Sequence, residues 1–168
     1  REEIRTNEDL QRAAEQSDGT QPKWIALDIG PTGKLLRPLG TLDFEDAVAA
    51  FAAVVRLGVK HGADLIFVET MNDSYEAKAA LLAVKEATRL PVMVTMTFDE
   101  SGRTFTGCTV ASMAATLESL GADAIGLNCS LGPQQLLPVQ RTAKISPVSS
   151  AVPRVMVPRP SAPPMPVP

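Results

Sequence analysis

Hydrophobic and polar positions divide the chain into blocks of two kinds. Short apolar runs without internal alternation are typical of strands that are buried on both faces of a sheet, and they occur at residues 24–28, 65–68, 92–97 and 124–127. Longer stretches with apolar residues at helical spacing lie between these runs. The pattern therefore predicts four strands that alternate with helices.

Signals for helix ends agree with this division. Residues 2–17 predict a helix that precedes the first strand. Asp43 and Asp73 stand where the N-caps of the next two helices are expected, and a further helix is predicted over 109–120. Because a helix separates each strand from the next, the connections are crossovers and the sheet is predicted to be parallel.

This order of elements is compatible with two α/β architectures, an open doubly wound sheet and a (β/α)₈ barrel. In both, binding and catalytic groups gather at the carboxyl ends of the strands. The predicted ends carry Asp28, Glu69 with Thr70, Thr95 to Thr97, and Asn128 with Cys129. We therefore expect carboxylates, hydroxyls, an amide and a thiol to share one rim of the sheet.

Asp28 and Glu69 each follow an apolar run directly, where an unpaired buried carboxylate is costly. A carboxylate in this position has either a structural role, in which it caps a helix or holds a loop amide, or a role in binding a ligand. Position alone makes the structural and the ligand-binding roles about equally probable. Glu69 is the stronger candidate for a ligand because Asp73 already supplies the cap of the next helix.

Cys129 follows the fourth strand directly and precedes a Gly-Pro turn. A cysteine there is either a small core residue or, at the rim, a nucleophilic thiolate or a metal ligand, and a zinc site needs two or three further ligands. Cys108 lies in a loop and His61 at a helix end, without comparable signals. Gly30 and Gly33 do not have the spacing of a nucleotide-binding loop.

Composition narrows the range of functions. The 168 residues are 45% hydrophobic and 21% charged, as in a globular protein. Residues 1–138 carry more acidic than basic side chains, which argues against a nucleic-acid partner. The chain has no apolar run long enough to span a membrane and no signal peptide, so the cytoplasm is the expected location. Its first residue, Arg1, suggests a piece of a longer protein.

The end of the chain differs from the rest. Ten of the 14 prolines lie from Pro133 onward, and residues 139–168 contain four basic and no acidic side chains. Proline removes a backbone donor and is poorly tolerated inside helices and strands. We therefore expect a folded domain over 1–138 and a disordered or polyproline-like tail over 139–168.

Four strings of residues, in chain order, carry a resemblance to a known family. They are ALDIGPTG at 26–33, ETM at 69–71 with EAKAA at 76–80, VTMTFDE at 94–100 with GRT at 102–104, and GLNCSLGP at 126–133. Together they resemble the homocysteine-binding domain of cobalamin-dependent methionine synthase more than betaine–homocysteine methyltransferase. The resemblance covers about residues 1–138.

The resemblance implies a (β/α)₈ barrel that binds homocysteine and holds zinc with three cysteines, the first of which matches Cys129. It implies that the zinc-bound homocysteine thiolate attacks the methyl group of methylcobalamin to form methionine. Cobalamin and folate domains of the parent chain are the implied partners. Glu69, Asp28 and Asn128 match positions at the substrate.

The chain also departs from the family. The adjacent pair of cysteines that completes the family's zinc site is absent, and a whole barrel needs about 250 residues. We therefore expect a fragment of about four βα units that is inactive alone. Two other interpretations stay open: another α/β-barrel enzyme, such as a pterin-binding one that uses Asp28 and Asn128, and a non-catalytic module whose proline-rich tail docks a partner.

Overall fold

The computed structural model describes residues 24–141. In chain order its elements are β1 Ala26–Ile29, α1 Phe44–Lys60, β2 Leu65–Met71, α2 Ser74–Ala87, β3 Val92–Met96, α3 Val110–Ser119, β4 Ala124–Leu127 and α4 Pro133–Arg141. None of these helices is both long and apolar enough to cross a lipid bilayer. The helix expected over 2–17 and most of the expected tail lie outside the described residues.

The four strands form one parallel sheet in the order β1-β2-β3-β4. A helix connects each strand to the next, as the order of apolar and amphipathic blocks predicted. The strand order of a doubly wound sheet reverses at some point, whereas across residues 24–141 it follows the chain. The α/β class is confirmed, and the arrangement is that of a section of a (β/α)₈ barrel.

The apolar core lies where α1 and α2 cover the two central strands. Val55 of α1, Leu81 of α2 and Val94 of β3 are all fully buried. Helix α2 presents mainly alanines to this core, and such small side chains allow close packing of the neighbouring elements. The core holds the central strands rigidly, so side chains at their ends have defined positions.

The first strand differs from its prediction. We expected β1 to be buried on both faces, but Ala26 and Asp28 are exposed while Ile29 is buried. Within the described residues only one face of this edge strand is covered, because Leu27 packs on Gly58 of α1. A Cβ at Gly58 would lie 2.5 Å from Leu27 Cδ2, so a larger residue at this position would force the Leu27 side chain to move.

The two predicted aspartate caps behave differently. The Asp73 side chain accepts a hydrogen bond from Tyr75 N–H at 3.0 Å and caps α2 as expected. Asp43 stands at the N-cap position of α1 but makes no cap hydrogen bond. Instead its Oδ1 lies 3.2 Å from Nε of Arg37 in an exposed ion pair, so the carboxylate is directed to Arg37 and not to the first-turn N–H groups of the helix.

Helix α4 begins at the Gly-Pro pair and contains Pro138. Pro133 occupies its first position, where the missing N–H has no partner in any helix. Val139 is 7% exposed and belongs to the buried core. The folded part therefore includes Val139, and the division between a domain over 1–138 and a tail over 139–168 stays a prediction.

Candidate functional site

The carboxyl ends of β2, β3 and β4 are joined by polar side chains. Asn128, directly after β4, donates through Nδ2 to Thr70 Oγ1 at 2.7 Å and to Glu69 Oε2 at 3.3 Å. The Thr70 hydroxyl donates to the same Glu69 oxygen. The Thr70 N–H donates to Thr95 Oγ1 on β3 at 3.2 Å. Because β3 separates β2 from β4, these four residues, which we call the rim cluster, connect three strands.

The backbone of β2 is irregular where the rim cluster begins. The register between β2 and β3 shifts between Val68 and Met71, and Thr70 has a φ of 57°. A β-branched residue in the left-handed region is a genuine outlier, and such a conformation costs about 1–3 kcal/mol. A shift of this kind redirects the side chains around it, and here it accompanies the bonding of Glu69 to a side chain from β4.

A second irregular segment follows β4. Cys129 and Ser130 have φ values of 61° and 59°, and the Cys129 carbonyl accepts a hydrogen bond from Leu131 N–H at 2.6 Å. This tight turn leaves the Cys129 side chain exposed as a free thiol. Cys129 is therefore a rim residue and not a core residue, and its role as a metal ligand stays a prediction.

The amide of Asn128 is only partly satisfied. Its Nδ2 has two partners, while its Oδ1 is buried and has no hydrogen-bond partner within the described part of the chain. An unsatisfied buried acceptor costs about 1–3 kcal/mol. The orientation of this side chain is thus determined by Glu69 and Thr70 and not by its own carbonyl oxygen.

One of the two carboxylate oxygens of Glu69 already accepts hydrogen bonds from the protein. Its Oε2 accepts from both Thr70 and Asn128, whereas Oε1 accepts no hydrogen bond from residues 24–141. Glu69 is half-buried, so a donor on a ligand can reach a carboxylate that is already held in place. The geometry suits an ammonium group, which forms strong charge-assisted hydrogen bonds to carboxylates.

The third predicted substrate residue lies on the edge of the sheet. Asp28 is exposed near the end of β1, and its register partner on β2 is Phe67. Two strands separate it from β4. The structure thus brings Glu69 and Asn128 together, and it leaves Asp28 on the outer part of the same rim.

A zinc ion requires three or four nitrogen, oxygen or sulfur ligands at short distances. Within residues 24–141 no three His, Cys, Asp or Glu side chains are grouped so that they could hold a metal ion. Cys108 and Cys129 are both free thiols. The described residues therefore do not fit a complete zinc site, and Cys129 offers at most one ligand of such a site.

Glu76 was part of the resemblance but was not predicted as a site residue. It is 2% exposed in the first turn of α2, and its Oε1 accepts from Thr32 N–H at 2.7 Å and from Thr32 Oγ1 at 2.6 Å. This contact fastens the β1–α1 loop to the start of α2. A sequence signal existed, because Glu76 lies four residues before Ala80 on the apolar face of the helix.

The loop between β3 and α3 is stabilised by its own side chains. Oδ1 of Asp99 accepts from Ser101 Oγ at 2.7 Å, from Ser101 N–H at 2.9 Å and from Arg103 N–H at 3.0 Å. The Ser101 hydroxyl, followed by the Arg103 N–H, lowers the pKa of Asp99 below its usual 3.8. Thr106 Oγ1 donates to Asp73 at 3.0 Å and ties this loop to the cap of α2.

Cys108 belongs to this loop and has a structural role. Its N–H donates to Thr104 Oγ1 at 3.0 Å, and its half-buried side chain packs against the core. No function was predicted for Cys108 from the sequence, and its surroundings contain no group of metal ligands within the described range. The two cysteines thus have different environments.

Comparison with known proteins adds the family to this geometry. The sequence profile described as homocysteine S-methyltransferase matches residues 2–163. The chain belongs to the homocysteine S-methyltransferase family. The matched range extends past residue 138, where the resemblance of the four strings was expected to end.

Relatives of this homocysteine S-methyltransferase chain are longer. Methionine synthase from Mycobacterium leprae (strain TN) is 31% identical to it over 119 residues, which are 68% of this chain and 10% of that protein. The apo structure of the homocysteine methyltransferase MmuM from Escherichia coli matches with a TM-score of 0.63 at 19% identity, over 76% of this chain and 46% of that one. The chain thus spans a tenth of the first relative and less than half of the second, and the second likeness confirms the fold.

Proposed function

We propose that this chain forms the homocysteine-binding part of a methyltransferase that produces methionine. Membership of the homocysteine S-methyltransferase family supports the reaction class. The observation that carries the proposal is the rim cluster, which holds the Glu69 carboxylate next to the Asn128 amide, with the exposed Cys129 as the next residue. In the proposed complex the carboxylate and the amide lie at the amino acid end of the substrate, and the Cys129 thiol lies at its sulfur end.

Homocysteine has an α-ammonium and an α-carboxylate at one end and a thiol at the other. In the proposed complex Glu69 accepts from the ammonium through Oε1, because Oε2 already accepts from Thr70 and Asn128. The Asn128 side chain keeps the carboxylate in one orientation before the substrate arrives. Such preorganisation lowers the cost of ordering the site on binding.

Cys129 lies directly after Asn128, so the sulfur of a substrate bound at Glu69 is proposed to lie on the Cys129 side of the rim. We propose that Cys129 is one zinc ligand in the intact protein and that the remaining ligands come from outside residues 24–141. Zinc lowers the pKa of a bound thiol and so supplies a thiolate at neutral pH. Asp28 is proposed as an outer contact of the substrate.

The resemblance of the four strings to the cobalamin-dependent enzyme supports methylcobalamin as the methyl donor. In this proposal another domain of the parent chain binds the cobalamin, and a folate domain regenerates it. The cytoplasm is the proposed location. The described residues hold neither a complete metal site nor more than four βα units, so the chain by itself is proposed to be inactive.

The substitution Glu69→Gln tests the substrate site. We expect it to weaken L-homocysteine binding to the intact protein that carries this sequence by about tenfold or more, because a hydrogen bond to a charged group contributes roughly 1.5–3 kcal/mol. Isothermal titration calorimetry measures the dissociation constant. The matched control is Glu118→Gln on the exposed face of α3, which changes the same charge away from the rim. Equal affinity of Glu69→Gln and the unsubstituted protein contradicts the proposal.

A further inference from the structure

Thr70 has a backbone conformation that its residue type disfavours. Its φ of 57° lies in the left-handed region, although it stands inside strand β2. β-Branched residues rarely adopt this region, whereas glycine and asparagine enter it at lower cost. If this position served only the course of the strand, one of those residues would serve it better. The presence of threonine therefore points to its hydroxyl.

The Thr70 hydroxyl uses both its donor and its acceptor capacity inside the rim cluster. It donates its proton to Glu69 Oε2 and accepts from Asn128 Nδ2 at 2.7 Å, the shorter of the two contacts of that amide. One oxygen atom thus links the two residues proposed to bind the substrate. Glu69 and Asn128 are 59 positions apart in the chain.

Thr70 is itself held by a buried partner. Its N–H donates to Thr95 Oγ1 at 3.2 Å, and Thr95 is 1% exposed. The irregular turn of β2 is therefore pinned to β3, which is the strand between Glu69 and Asn128. This anchor determines where the Thr70 hydroxyl lies relative to both of its partners.

The unsatisfied Oδ1 of Asn128 makes the Thr70 hydroxyl more important for the orientation of this amide. Because Oδ1 is buried and has no partner within residues 24–141, rotation of the amide would allow this oxygen to find one. The contacts of Nδ2 with Thr70 and Glu69 oppose that rotation. Loss of the hydroxyl would remove the shorter contact and leave only the 3.3 Å contact between Asn128 Nδ2 and Glu69 Oε2 to orient the amide and the carboxylate.

From these observations we infer that Thr70 is a positioning residue of the homocysteine site. Its hydroxyl, presented by a strained turn of β2, holds the Glu69 carboxylate and the Asn128 amide in the arrangement that accepts the substrate. This inference rests on the proposed function, because it assigns Thr70 a task for the same site. In this role Thr70 acts through Glu69 and Asn128 and not on the reacting sulfur.

Two substitutions in the intact protein separate the hydroxyl from the shape of the side chain. Thr70→Val keeps the size and the β-branch but removes the hydroxyl, and we expect about tenfold weaker binding of L-homocysteine, which corresponds to about 1.4 kcal/mol. Thr70→Ser keeps the hydroxyl, and we expect it to retain the affinity. Calorimetric titration with L-homocysteine provides the comparison.

A spectroscopic readout distinguishes positioning from general stability. The side-chain amide resonances of Asn128 report its hydrogen bonds in a ¹⁵N–¹H spectrum without substrate. We expect them to move in Thr70→Val and to stay close to their original positions in Thr70→Ser. A residue that only stabilised the strand would change the melting temperature without this selective change.

Several outcomes would overturn the inference. Thr70→Val that binds L-homocysteine as tightly as the unsubstituted protein, while Glu69→Gln binds weakly, overturns the role of Thr70 and leaves the proposed function intact. Thr70→Ser that binds as weakly as Thr70→Val also overturns it. Unchanged affinity in Glu69→Gln overturns the proposed function and this inference with it.

A further variant serves if Thr70→Val does not fold. Thr70→Gly removes the backbone strain together with the hydroxyl, so a folded protein with weakened L-homocysteine binding is expected. If Thr70→Gly folds and binds as tightly as the unsubstituted protein, the hydroxyl is not needed and the inference fails.

Discussion

The two ends of the parallel sheet both carry acidic side chains, and these make different contacts. At the amino ends, Asp64 before β2 accepts from Ile25 N–H at 2.8 Å, and Asp123 before β4 accepts from Val92 N–H at 2.9 Å. Each of these carboxylates ties the start of one strand to the start of its neighbour. Asp123 also pairs with Lys85 at 3.1 Å. These contacts give Asp64 and Asp123 a structural role.

At the carboxyl ends the carboxylates bond mainly to side chains. Glu69 accepts from the side chains of Thr70 and Asn128, and Glu76 holds a loop through the hydroxyl and N–H of Thr32. In the described range, every residue other than glycine with positive φ lies at this end, namely Thr70, Cys129 and Ser130. Backbone strain and an unsatisfied amide oxygen therefore distinguish the rim at the carboxyl ends from the opposite end of the sheet, whereas the presence of carboxylates does not.

The largest effect that this comparison predicts is at Cys129. In the intact protein we expect Cys129→Ser to lower homocysteine-dependent methyl transfer by more than about 100-fold, because loss of the groups that merely orient metal ligands already costs 10–100-fold. We also expect its zinc content, measured by atomic emission, to fall. Cys108→Ser is the control, because the half-buried Cys108 packs against the core whereas Cys129 is exposed. Stoichiometric zinc in Cys129→Ser would exclude it as a ligand.

An intermediate effect is expected when one carboxylate is removed at each end. Glu76→Ala leaves two donors of Thr32 without their acceptor, and Asp123→Ala leaves Val92 N–H without its acceptor. Each substitution is expected to lower the free energy of unfolding by about 1–3 kcal/mol. Only Glu76→Ala is expected to weaken L-homocysteine binding as well, since its loop borders the rim. Urea unfolding and calorimetry measure the two quantities.

A conservative variant sharpens this contrast. Glu76→Gln keeps an oxygen acceptor for Thr32, so it is expected to retain more stability and more affinity than Glu76→Ala. Equal losses of homocysteine affinity in Asp123→Ala and Glu76→Ala would remove the distinction between the two ends of the sheet.

The smallest effect is expected at Asp99, a carboxylate near the carboxyl ends that bonds to its own loop. The Ser101 hydroxyl is the main cause of its lowered pKa, so Ser101→Ala should raise that pKa toward 3.8. Because the pKa is lower in the folded state, the contribution of Asp99 to stability is present above pH 3.8 and is lost as the pH falls through the folded value. A carboxyl-detected NMR titration of both proteins measures the shift. If the pKa of Asp99 is the same in Ser101→Ala, contacts other than the Ser101 hydroxyl are the cause of the lowered pKa.

Much of the fold could be predicted because its signals are local. The apolar runs predicted four strands, and their separation by helices predicted a parallel sheet, which the structure confirms. The cap at Asp73 was also recognisable, since a cap depends only on residues within one turn. The exposure of β1 was not, because it depends on what covers each face of the sheet.

The candidate site was predicted in part. Placing Glu69 and Asn128 at strand ends was enough to expect them on one rim, since the ends of parallel strands meet there. The link through Thr70 was not foreseen, because its left-handed backbone accompanies the register shift between β2 and β3, which depends on the pairing of the two strands. The Glu76–Thr32 contact joins residues 44 positions apart and depends on the packing of a loop on α2.

The sequence by itself determined the order of the elements, the parallel direction of the strands and the set of polar residues at their ends. These follow from the spacing of apolar residues, which acts over a few positions along the chain. Only the tertiary structure decided which of those polar residues meet. The strand register, the strain at Thr70 and the packing on each strand face all depend on contacts between residues that are distant in the chain. These contacts bring polar residues that are far apart in the sequence to one rim.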